Sequence, residues 1–203
     1  LDEPLADEMS RGTALRFGAL LHDIGKPATR GERDGYVTFI GHDSVGVEIV
    51  AGVCRRLRAS SRLTRHLQGL TLHHLRLGFL VHEAPLPPRR VHEYLRATEP
   101  VAADVTLLTV ADRLSARGSG PFATEEAIEA HLSLARQMLA AALDWHRQGP
   151  PEPLLRGDEL AAELGITLGP ELGDLLAEIE AAQYAGEVST REDAIDRARR
   201  VRG

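Results

Sequence analysis

The sequence predicts an all-α fold in which a helical bundle is followed by a smaller helical tail. Apolar residues recur every three to four positions along most of the chain, which is the spacing of one helix face. Capping residues and helix breakers stand where these stretches begin and end. Only residues 36–40 are β-like in composition. The predicted helices span roughly residues 13–24, 44–57, 63–75, 89–96, 100–112, 124–148, 159–164, 170–184 and 191–201.

Composition narrows the class of protein. A chain of 203 residues forms one large or two small domains, and its net charge of −6 is unevenly distributed. Residues 1–120 carry 16 basic and 14 acidic side chains, whereas residues 121–203 carry 8 and 16, so a polyanion would prefer the first half. With one cysteine and no apolar run long enough to span a membrane, we expect a cytoplasmic protein without membrane contact.

The first predicted helix ends at the pair His22-Asp23. Gly25 and Pro27 predict that end, because glycine adopts the left-handed cap conformation and proline cannot continue the helix. Adjacent side chains on a helix diverge by about 100°, so both can reach one metal ion only near a terminus. Lys26 is the chain's single lysine, and its ammonium group suits a phosphate.

The next segment, residues 28–41, is predicted to be a loop or a short hairpin with Asp34-Gly35 as its turn. A helix follows, and it places His42 at its N-terminus. Its predicted apolar face consists of Val45, Ile49, Val53 and Leu57.

An arginine-rich segment joins this helix to the following one. Its members are Arg55, Arg56, Arg58, Arg62 and Arg65. Such a run is either a solvated surface or a contact for nucleic acid. In the following helix, Leu63, Leu67, Leu70 and His74 share one stripe. At least one of the neighbours His73 and His74 is therefore expected to face the interior.

The helix that begins near residue 100 has one apolar stripe, formed by Val101, Val105 and Leu108. The next position on that stripe is Asp112. A buried carboxylate is unfavourable unless it is paired or bound to a metal. The structural alternative is an ion pair with Arg113 or Arg117.

The segment 118–121 contains glycine and proline and is predicted to break the chain. We therefore divide the sequence into residues 1–120, a metal-binding helical domain, and residues 121–203, a long helix with a helical tail. Thr190 and Asp193 predict the cap of the last helix, and Gly165 the end of an earlier one.

Histidines and aspartates from several predicted helices form one candidate site. The proposed metal ligands are His22, Asp23, His42, His73, His74 and Asp112. The wide spacing differs from that of a zinc finger and suits ligands converging inside a helical bundle. A divalent ion held this way activates water and withdraws charge from phosphorus, so we expect hydrolysis of a phosphate ester. Mn, Fe, Co, Ni, Zn and Mg all remain candidates.

The segment Leu20-Leu21-His22-Asp23-Ile24-Gly25-Lys26, with Asp112 downstream, resembles the signature of the HD superfamily of metal-dependent phosphohydrolases. This resemblance implies an HD-type helical bundle. It also implies that Asp112 is the late aspartate of the pattern and that His42 and the 73–74 pair are its intervening histidines. The chain departs from the pattern in one respect, because no histidine precedes His22.

Gly41-His42-Asp43 and the tail segments 154–160 and 186–194 are similar to the C-terminal region of bacterial tRNA nucleotidyltransferases and poly(A) polymerases. The nucleotide-adding head of those enzymes has no counterpart here, so nucleotide addition is not expected. The resemblance implies hydrolysis of nucleotide or RNA-terminal phosphates, such as 2′,3′-cyclic phosphates, and contact with tRNA or other RNA.

The sequence leaves three functional hypotheses open. In the first, the chain is a metal-dependent phosphohydrolase in which Asp23 and Lys26 are catalytic. In the second, it is a non-catalytic RNA-binding module with an incomplete metal site. In either case, RNA or substrate phosphates would contact Lys26, Arg55, Arg58, Arg62 and Arg65. A nucleoside-triphosphate or alarmone hydrolase of the same superfamily is a third, which the tail disfavours.

Overall fold

A computed structural model describes residues 1–116 and 124–203 of the chain. Its regular structure is mainly helical, which confirms the predicted all-α class. The helices are α1 (Arg11–Leu21), α2 (Lys26–Thr29), α3 (His42–Leu57), α4 (Ser61–His73), α5 (Arg76–Leu80), α6 (Pro88–Thr98), α7 (Ala102–Ser115), α8 (Glu125–Gln148), α9 (Gly157–Leu164), α10 (Pro170–Tyr184) and α11 (Arg191–Arg202). The strands within these residues form two short hairpins: β1 (Pro4–Ala6) with β2 (Met9–Ser10), and β3 (Gly31–Arg33) with β4 (Tyr36–Thr38).

The chain divides into two compact units. Unit 1 comprises Leu1–Ala84 and Thr98–Ala142, and unit 2 comprises Pro85–Ala97 and Leu143–Gly203. This division differs from the predicted one, because α8 belongs to both units and most of α6 belongs to unit 2. The predicted boundary between residues 120 and 121, the predicted break at 118–121 and Arg117 lie outside the described residues. The two-domain division at that point therefore stays a prediction.

The predicted hairpin of residues 28–41 is present. Arg33 pairs with Tyr36, so Asp34 and Gly35 form a two-residue turn. Both have positive φ angles, 53° and 78°, which fits the right-handed twist of a hairpin. The hairpin delivers the chain to Gly41, whose left-handed conformation starts α3.

In unit 1, a hydrophobic core lies among α1, α3 and α4. Its buried members are Ala14, Leu21, Val50, Cys54, Leu63 and Leu67. The predicted apolar face of α3 was wrong by one position, since Val45 is 38% exposed and Leu57 is 60% exposed. The buried stripe of α3 is instead formed by His42, Gly46, Val50 and Cys54. The shift follows from packing, because α3 turns a histidine and a glycine inward toward α1 and α4.

The predicted stripe of α4 is confirmed. Leu63, Leu67, Leu70 and His74 are all at most 3% exposed. Gly18 of α1 packs directly against Leu70, and a Cβ atom at residue 18 would lie 2.3 Å from the leucine side chain. The two helices therefore approach closely just before the ends that carry His22 and His74.

Unit 2 has its own hydrophobic core among α9, α10 and α11. The buried members include Leu160, Leu172, Leu175, Ile179 and Ile195. Its helix ends follow the predicted local rules. Gly165 ends α9 in the left-handed conformation, and Thr190 with Asp193 forms a capping box at α11. None of the helices formed by residues 1–116 and 124–203 has the length and apolar character needed to cross a membrane.

Candidate metal centre

The His22-Asp23 pair lies in the turn that follows α1. His22 is the C-cap of α1, and its Nδ1 atom lies 2.8 Å from the carbonyl oxygen of Ala19. A carbonyl oxygen only accepts hydrogen bonds, so Nδ1 carries a proton and donates it. The ring is thereby oriented with Nε2 facing the interior of unit 1.

His42 and His74 are held by the same local contact. His42 Nδ1 donates to the carbonyl oxygen of Phe39 at 2.7 Å, and His74 Nδ1 donates to that of Thr71 at 2.7 Å. In all three histidines the acceptor is therefore the residue three positions earlier. This arrangement leaves Nε2 available for a metal, as is common for histidines that bind metal ions.

The Nε2 atoms of these histidines converge on Asp23. His22 Nε2 lies 3.3 Å from Asp23 Oδ2, whereas His42 and His74 Nε2 lie 3.2 and 3.6 Å from Asp23 Oδ1. The ligand atoms of His22, Asp23 and His74 all lie within 4.8 Å of one another. The two oxygens of one carboxylate thus face different histidines.

Asp112 of α7 lies on the other side of His22. Its Oδ1 atom is 3.7 Å from His22 Nε2, so the two carboxylates approach the same imidazole. The side chain of Asp112 is 46% exposed, and the expectation of a buried position is corrected. The stripe of Val101, Val105 and Leu108 is buried as predicted, but α7 reaches the rim of unit 1 at Asp112.

Glycines permit the close packing that assembles the centre. A Cβ atom on Gly25 would lie 2.1 Å from the carbonyl oxygen of His42 and 2.8 Å from the nitrogen of Gly46. A Cβ atom on Gly46 would lie 2.8 Å from the methyl carbon of Thr71. The predicted role of Gly25 as a left-handed cap was wrong, since its φ is −78°. Glycine is required there because α3 lies against the turn.

His73 does not join the centre. It is half-buried, and burial and Arg76 lower its pKa, whereas Asp43 opposes this effect. Its Nδ1 atom has no hydrogen-bond partner among the described residues. The structure therefore separates the neighbours His73 and His74, which sequence alone could not do.

The charges of the centre are strongly coupled. The carboxylates of Asp112 and Asp23, in that order, raise the pKa of His22 to about 10. Although burial opposes it, contacts with His22 and Lys26 lower the pKa of Asp23. His22 lowers the pKa of Asp112, and burial lowers that of His74. Without a metal, His22 therefore holds a proton at neutral pH between two carboxylates.

These side chains fit a divalent cation. His42 and His74 each use an Nδ1 proton on a backbone carbonyl, yet their Nε2 atoms lie 3.2 Å apart. A neutral imidazole has one N–H group, so two lone pairs face each other unless a proton or a metal ion lies between them. His22 Nε2 is buried, and neither nearby carboxylate forms a hydrogen bond of good geometry with it. Such donors suit Mn, Fe, Co, Ni or Zn better than Mg.

Lys26 lies at the edge of the centre, as the first residue of α2. Its ammonium group contacts Asp23 Oδ2 and lies 5.7 Å from the centroid of the Phe39 ring. The side chain is 39% exposed. Pro27 does not stop a helix here as predicted, since it occupies the first turn of α2, where proline is tolerated.

The arginines of the predicted phosphate contact lie far from the centre. Arg55 is 13 residues after His42 on α3, which corresponds to about 20 Å along the helix axis. Arg62 and Arg65 are near the start of α4, whose other end carries His74. Contact of Arg55, Arg58, Arg62 and Arg65 with a phosphate at the metal is therefore not supported, since the folded helices carry these arginines to the opposite end, while their contact with RNA stays a prediction. We call Arg55, Arg56, Arg58, Arg62 and Arg65 the arginine patch.

Unit 1 also contains a buried charged cluster that the sequence did not predict. Arg11 donates to both carboxylate oxygens of Asp104, and His66 lies beside the same carboxylate. Asp104 is buried between Val101 and Leu108 of the α7 stripe, but its partner Arg11 is 93 residues away in sequence. No local pattern could have connected them.

Comparison with known proteins gives the relationships of the chain. Residues 4–117 match the family described as the HD domain. The chain is 34% identical over 182 residues to the A-adding tRNA nucleotidyltransferase of Deinococcus radiodurans. The aligned segment covers 89% of this chain and 40% of that protein. It is 33% identical over 181 residues to the CC-adding tRNA nucleotidyltransferase of Thermus thermophilus, which covers 88% and 38%.

A third relative carries a different name. The bifunctional uridylyltransferase/uridylyl-removing enzyme of Mycobacterium tuberculosis is 36% identical over 121 residues, or 58% of this chain and 14% of that protein. The chain thus spans about two fifths of the length of the two tRNA nucleotidyltransferases. The match to the HD domain covers all five side chains that converge in unit 1.

Proposed function

This chain belongs to the HD domain family, and we propose that it is a divalent-metal-dependent phosphohydrolase acting on nucleotide or RNA-terminal phosphates, including 2′,3′-cyclic phosphates. One observation carries the proposal. The Nε2 atoms of three histidines, each fixed by a backbone carbonyl, converge with two carboxylates inside unit 1. The group is not complete as an ion-pair network, because the Nε2 atoms of His42 and His74 face each other at 3.2 Å and neither carboxylate forms a hydrogen bond of good geometry with His22 Nε2.

In this proposal His22, Asp23, His42, His74 and Asp112 hold the metal. A bound divalent ion lowers the pKa of a water molecule and withdraws charge from a phosphate. Asp23 would be the shared ligand if the site holds two ions, since Oδ2 faces His22 while Oδ1 faces His42 and His74. Lys26 would contact a substrate phosphate, because its half-exposed ammonium group lies beside Asp23 at the edge of the centre.

The proposed activity concerns this region alone. We propose that it corresponds to the C-terminal half of a tRNA nucleotidyltransferase-like or poly(A) polymerase-like protein. Nucleotide addition, which the names of two relatives state, is not proposed for these residues. The name of the third relative includes removal of a uridylyl group, and cleavage of a phosphodiester agrees with the hydrolysis proposed here.

A matched pair of variants tests the hydrolase. The chain contains a second His-Asp pair, whose Asp43 lies near His73 and outside the convergent group. We expect Asp23→Ala to lose bound Mn or Ni and the hydrolysis of 2′,3′-cyclic AMP, while Asp43→Ala retains both. Elemental analysis after dialysis and product chromatography measure the two quantities. Equal metal content and turnover in the Asp23→Ala variant and the unaltered chain would remove the basis of the proposal.

The arginine patch favours RNA as a partner. All five arginines are exposed, and none forms an ion pair with another described residue. Unpaired exposed arginines attract phosphates, and the separation of about 20 Å from the centre is more than a mononucleotide can span. The patch would therefore contact a part of an RNA chain that lies away from the metal centre. The same contact would be expected if the protein bound RNA without catalysing a reaction.

RNA binding is tested by salt dependence. We expect a variant with Arg55, Arg58, Arg62 and Arg65 changed to glutamine to bind tRNA at least tenfold more weakly and with a smaller dependence on salt between 50 and 200 mM. Arg136→Gln/Arg147→Gln is the matched control, because these exposed arginines already contact Glu129 and Asp144. RNA affinity that is equal in both variants and insensitive to salt would exclude the patch.

A further inference from the structure

A second buried polar cluster lies in unit 1, on the helices that carry the metal centre. Arg11 is the first residue of α1, Asp104 lies in the first turn of α7, and His66 lies within α4. The side chains of Arg11, Asp104 and His66 are 14%, 2% and 4% exposed. Arg11 donates through two nitrogens to the two oxygens of Asp104, and His66 Nε2 lies 3.8 Å from Asp104 Oδ2. We call these three side chains the buried polar layer.

The layer and the metal centre occupy two levels of the same three helices. His22 follows Arg11 by 11 residues, whereas His74 follows His66, and Asp112 follows Asp104, by eight. At 1.5 Å per residue the two levels are about 12 to 17 Å apart. Contacts at both levels require α1, α4 and α7 to run in the same direction. Between the levels, Gly18 packs against Leu70.

The layer is not a second metal site. It offers one imidazole and one carboxylate, and the guanidinium group of Arg11 already occupies both oxygens of that carboxylate. The positive charge of Arg11, in direct contact with Asp104, would repel a metal ion at that carboxylate. The chemistry of the layer is that of a buried ion pair.

Stability alone does not explain such a pair. The desolvation of two charges offsets much of their attraction, so well-packed apolar residues often replace a buried ion pair without loss of stability. A two-pronged contact differs from apolar packing in being directional. It resists sliding and rotation of one helix against another, whereas leucine and valine side chains tolerate small shifts.

Metal ligands are sensitive to such shifts. Metal–ligand distances are held to within about 0.2 Å, and a helix transmits an axial shift along its length. We propose that the buried polar layer positions the metal ligands by fixing the register of α1, α4 and α7, whose other ends carry His22, His74 and Asp112. This inference rests on the metal centre proposed above.

The test separates register from stability. We expect the apolar double variant Arg11→Met/Asp104→Leu to melt within a few degrees of the unaltered chain but to bind Mn or Ni about 10- to 100-fold more weakly, the range known for groups that orient metal ligands. Calorimetric titration of the EDTA-treated chain measures the affinity. Arg11→Lys, which keeps the charge but loses the two-pronged contact, is expected to fold and to bind several-fold more weakly.

A double variant in unit 2 is the control. Arg191→Met/Glu163→Leu removes another ion pair, at 2.8 Å, and is expected to leave metal affinity unchanged. If both Arg11→Lys and the apolar double variant bind metal within twofold of the unaltered chain, the positioning role is overturned while the metal centre stands. If the unaltered chain binds no metal, the proposed function fails and this inference fails with it.

Discussion

The polar clusters of the two units differ in whether their charged and polar atoms find partners within the cluster. In unit 2, Arg89 donates to Glu178 and Glu187 at 2.6 to 3.1 Å, and Arg197 also donates to Glu178. In unit 1, Lys26 contacts Asp23, and imidazole nitrogens and carboxylates face one another, with the Nε2 atoms of His42 and His74 3.2 Å apart. In the first cluster guanidinium groups and carboxylates pair with one another, whereas the second leaves His22 Nε2 without a hydrogen-bond partner of good geometry. This difference is what supports the proposal of a metal site in unit 1.

The histidines show the same contrast. His92 of unit 2 is 5% exposed, and its Nε2 atom lies 3.0 Å from Glu180. Its ring packs beside Trp145 and Tyr184. His22 of unit 1 is similarly surrounded by polar groups, but its Nε2 atom has no hydrogen-bond partner of good geometry among the described residues. Because two carboxylates and the ring of His74 also surround it, the unpaired Nε2 atom of His22 supports the proposed metal site.

The largest effect on stability is expected where the turn after α1 packs directly against the backbone of α3. Gly25→Ala places a methyl group 2.1 Å from a backbone oxygen, so we expect a loss of about 3 kcal/mol or more in the free energy of unfolding. Gly173→Ala in α10 of unit 2 meets no atom within 4 Å, and it should stabilise the protein by about 0.5 to 1 kcal/mol. Urea unfolding measures both. Equal stabilities would contradict the packing around His42.

Stabilisation by metal should distinguish His74 from its neighbour His73. At a metal concentration 100 times the Kd, we expect the unaltered chain to gain about 2.7 kcal/mol of stability. His73→Ala should keep this gain, and His74→Ala should lose most of it, because only His74 faces Asp23. Thermal melting with and without Mn or Ni measures the shift. A loss of the shift in His73→Ala, with its retention in His74→Ala, would reverse the assignment.

The self-sufficient cluster of unit 2 should respond to pH instead of metal. Arg89 lowers the pKa of Glu178, against the effect of burial, with a further contribution from Arg197. A lowered folded-state pKa stabilises the protein above the unfolded-state value of about 4.3, and this stabilisation is lost as pH falls through the folded-state value. We therefore expect Glu178→Gln to reduce stability by about 1 kcal/mol at pH 7 and to weaken the acid dependence.

A second glutamate on the same helix provides the control. Glu171 is 57% exposed and contacts Arg202, so Glu171→Gln should change the free energy of unfolding by less than about 0.5 kcal/mol. Urea unfolding at pH 7 and pH 3 compares the two variants. If Glu178→Gln shows the same acid dependence as the unaltered chain, the network does not stabilise unit 2 through this carboxylate.

The smallest effect is expected at the arginine patch. Because Arg55 and Arg62 form no ion pair with another described residue, Arg55→Gln/Arg62→Gln should change stability by less than about 0.5 kcal/mol at any metal concentration. Thermal melting checks this directly. A loss above about 1 kcal/mol would indicate that these arginines support the fold and would weaken their assignment to RNA.

The sequence by itself determined the helical class, the caps and the candidate ligands. These features depend on residues within about four positions of each other, as in the capping box of Thr190 with Asp193 and the end of α9 at Gly165. The stripe of α4 follows from the same local spacing, whereas α1 ends at His22 although neither Gly25 nor Pro27 acts as predicted. Local hydrogen bonds and helix periodicity are sufficient for such predictions.

Only the tertiary structure decided which candidates meet. It brought His74 rather than His73 to Asp23, turned α3 by one position to bury Gly46, and carried the arginine patch to the far end of the helices. It also paired Arg11 with Asp104 across 93 residues. These outcomes depend on the close approach of helices at glycines, and that approach is a property of the packed chain that no local pattern contains.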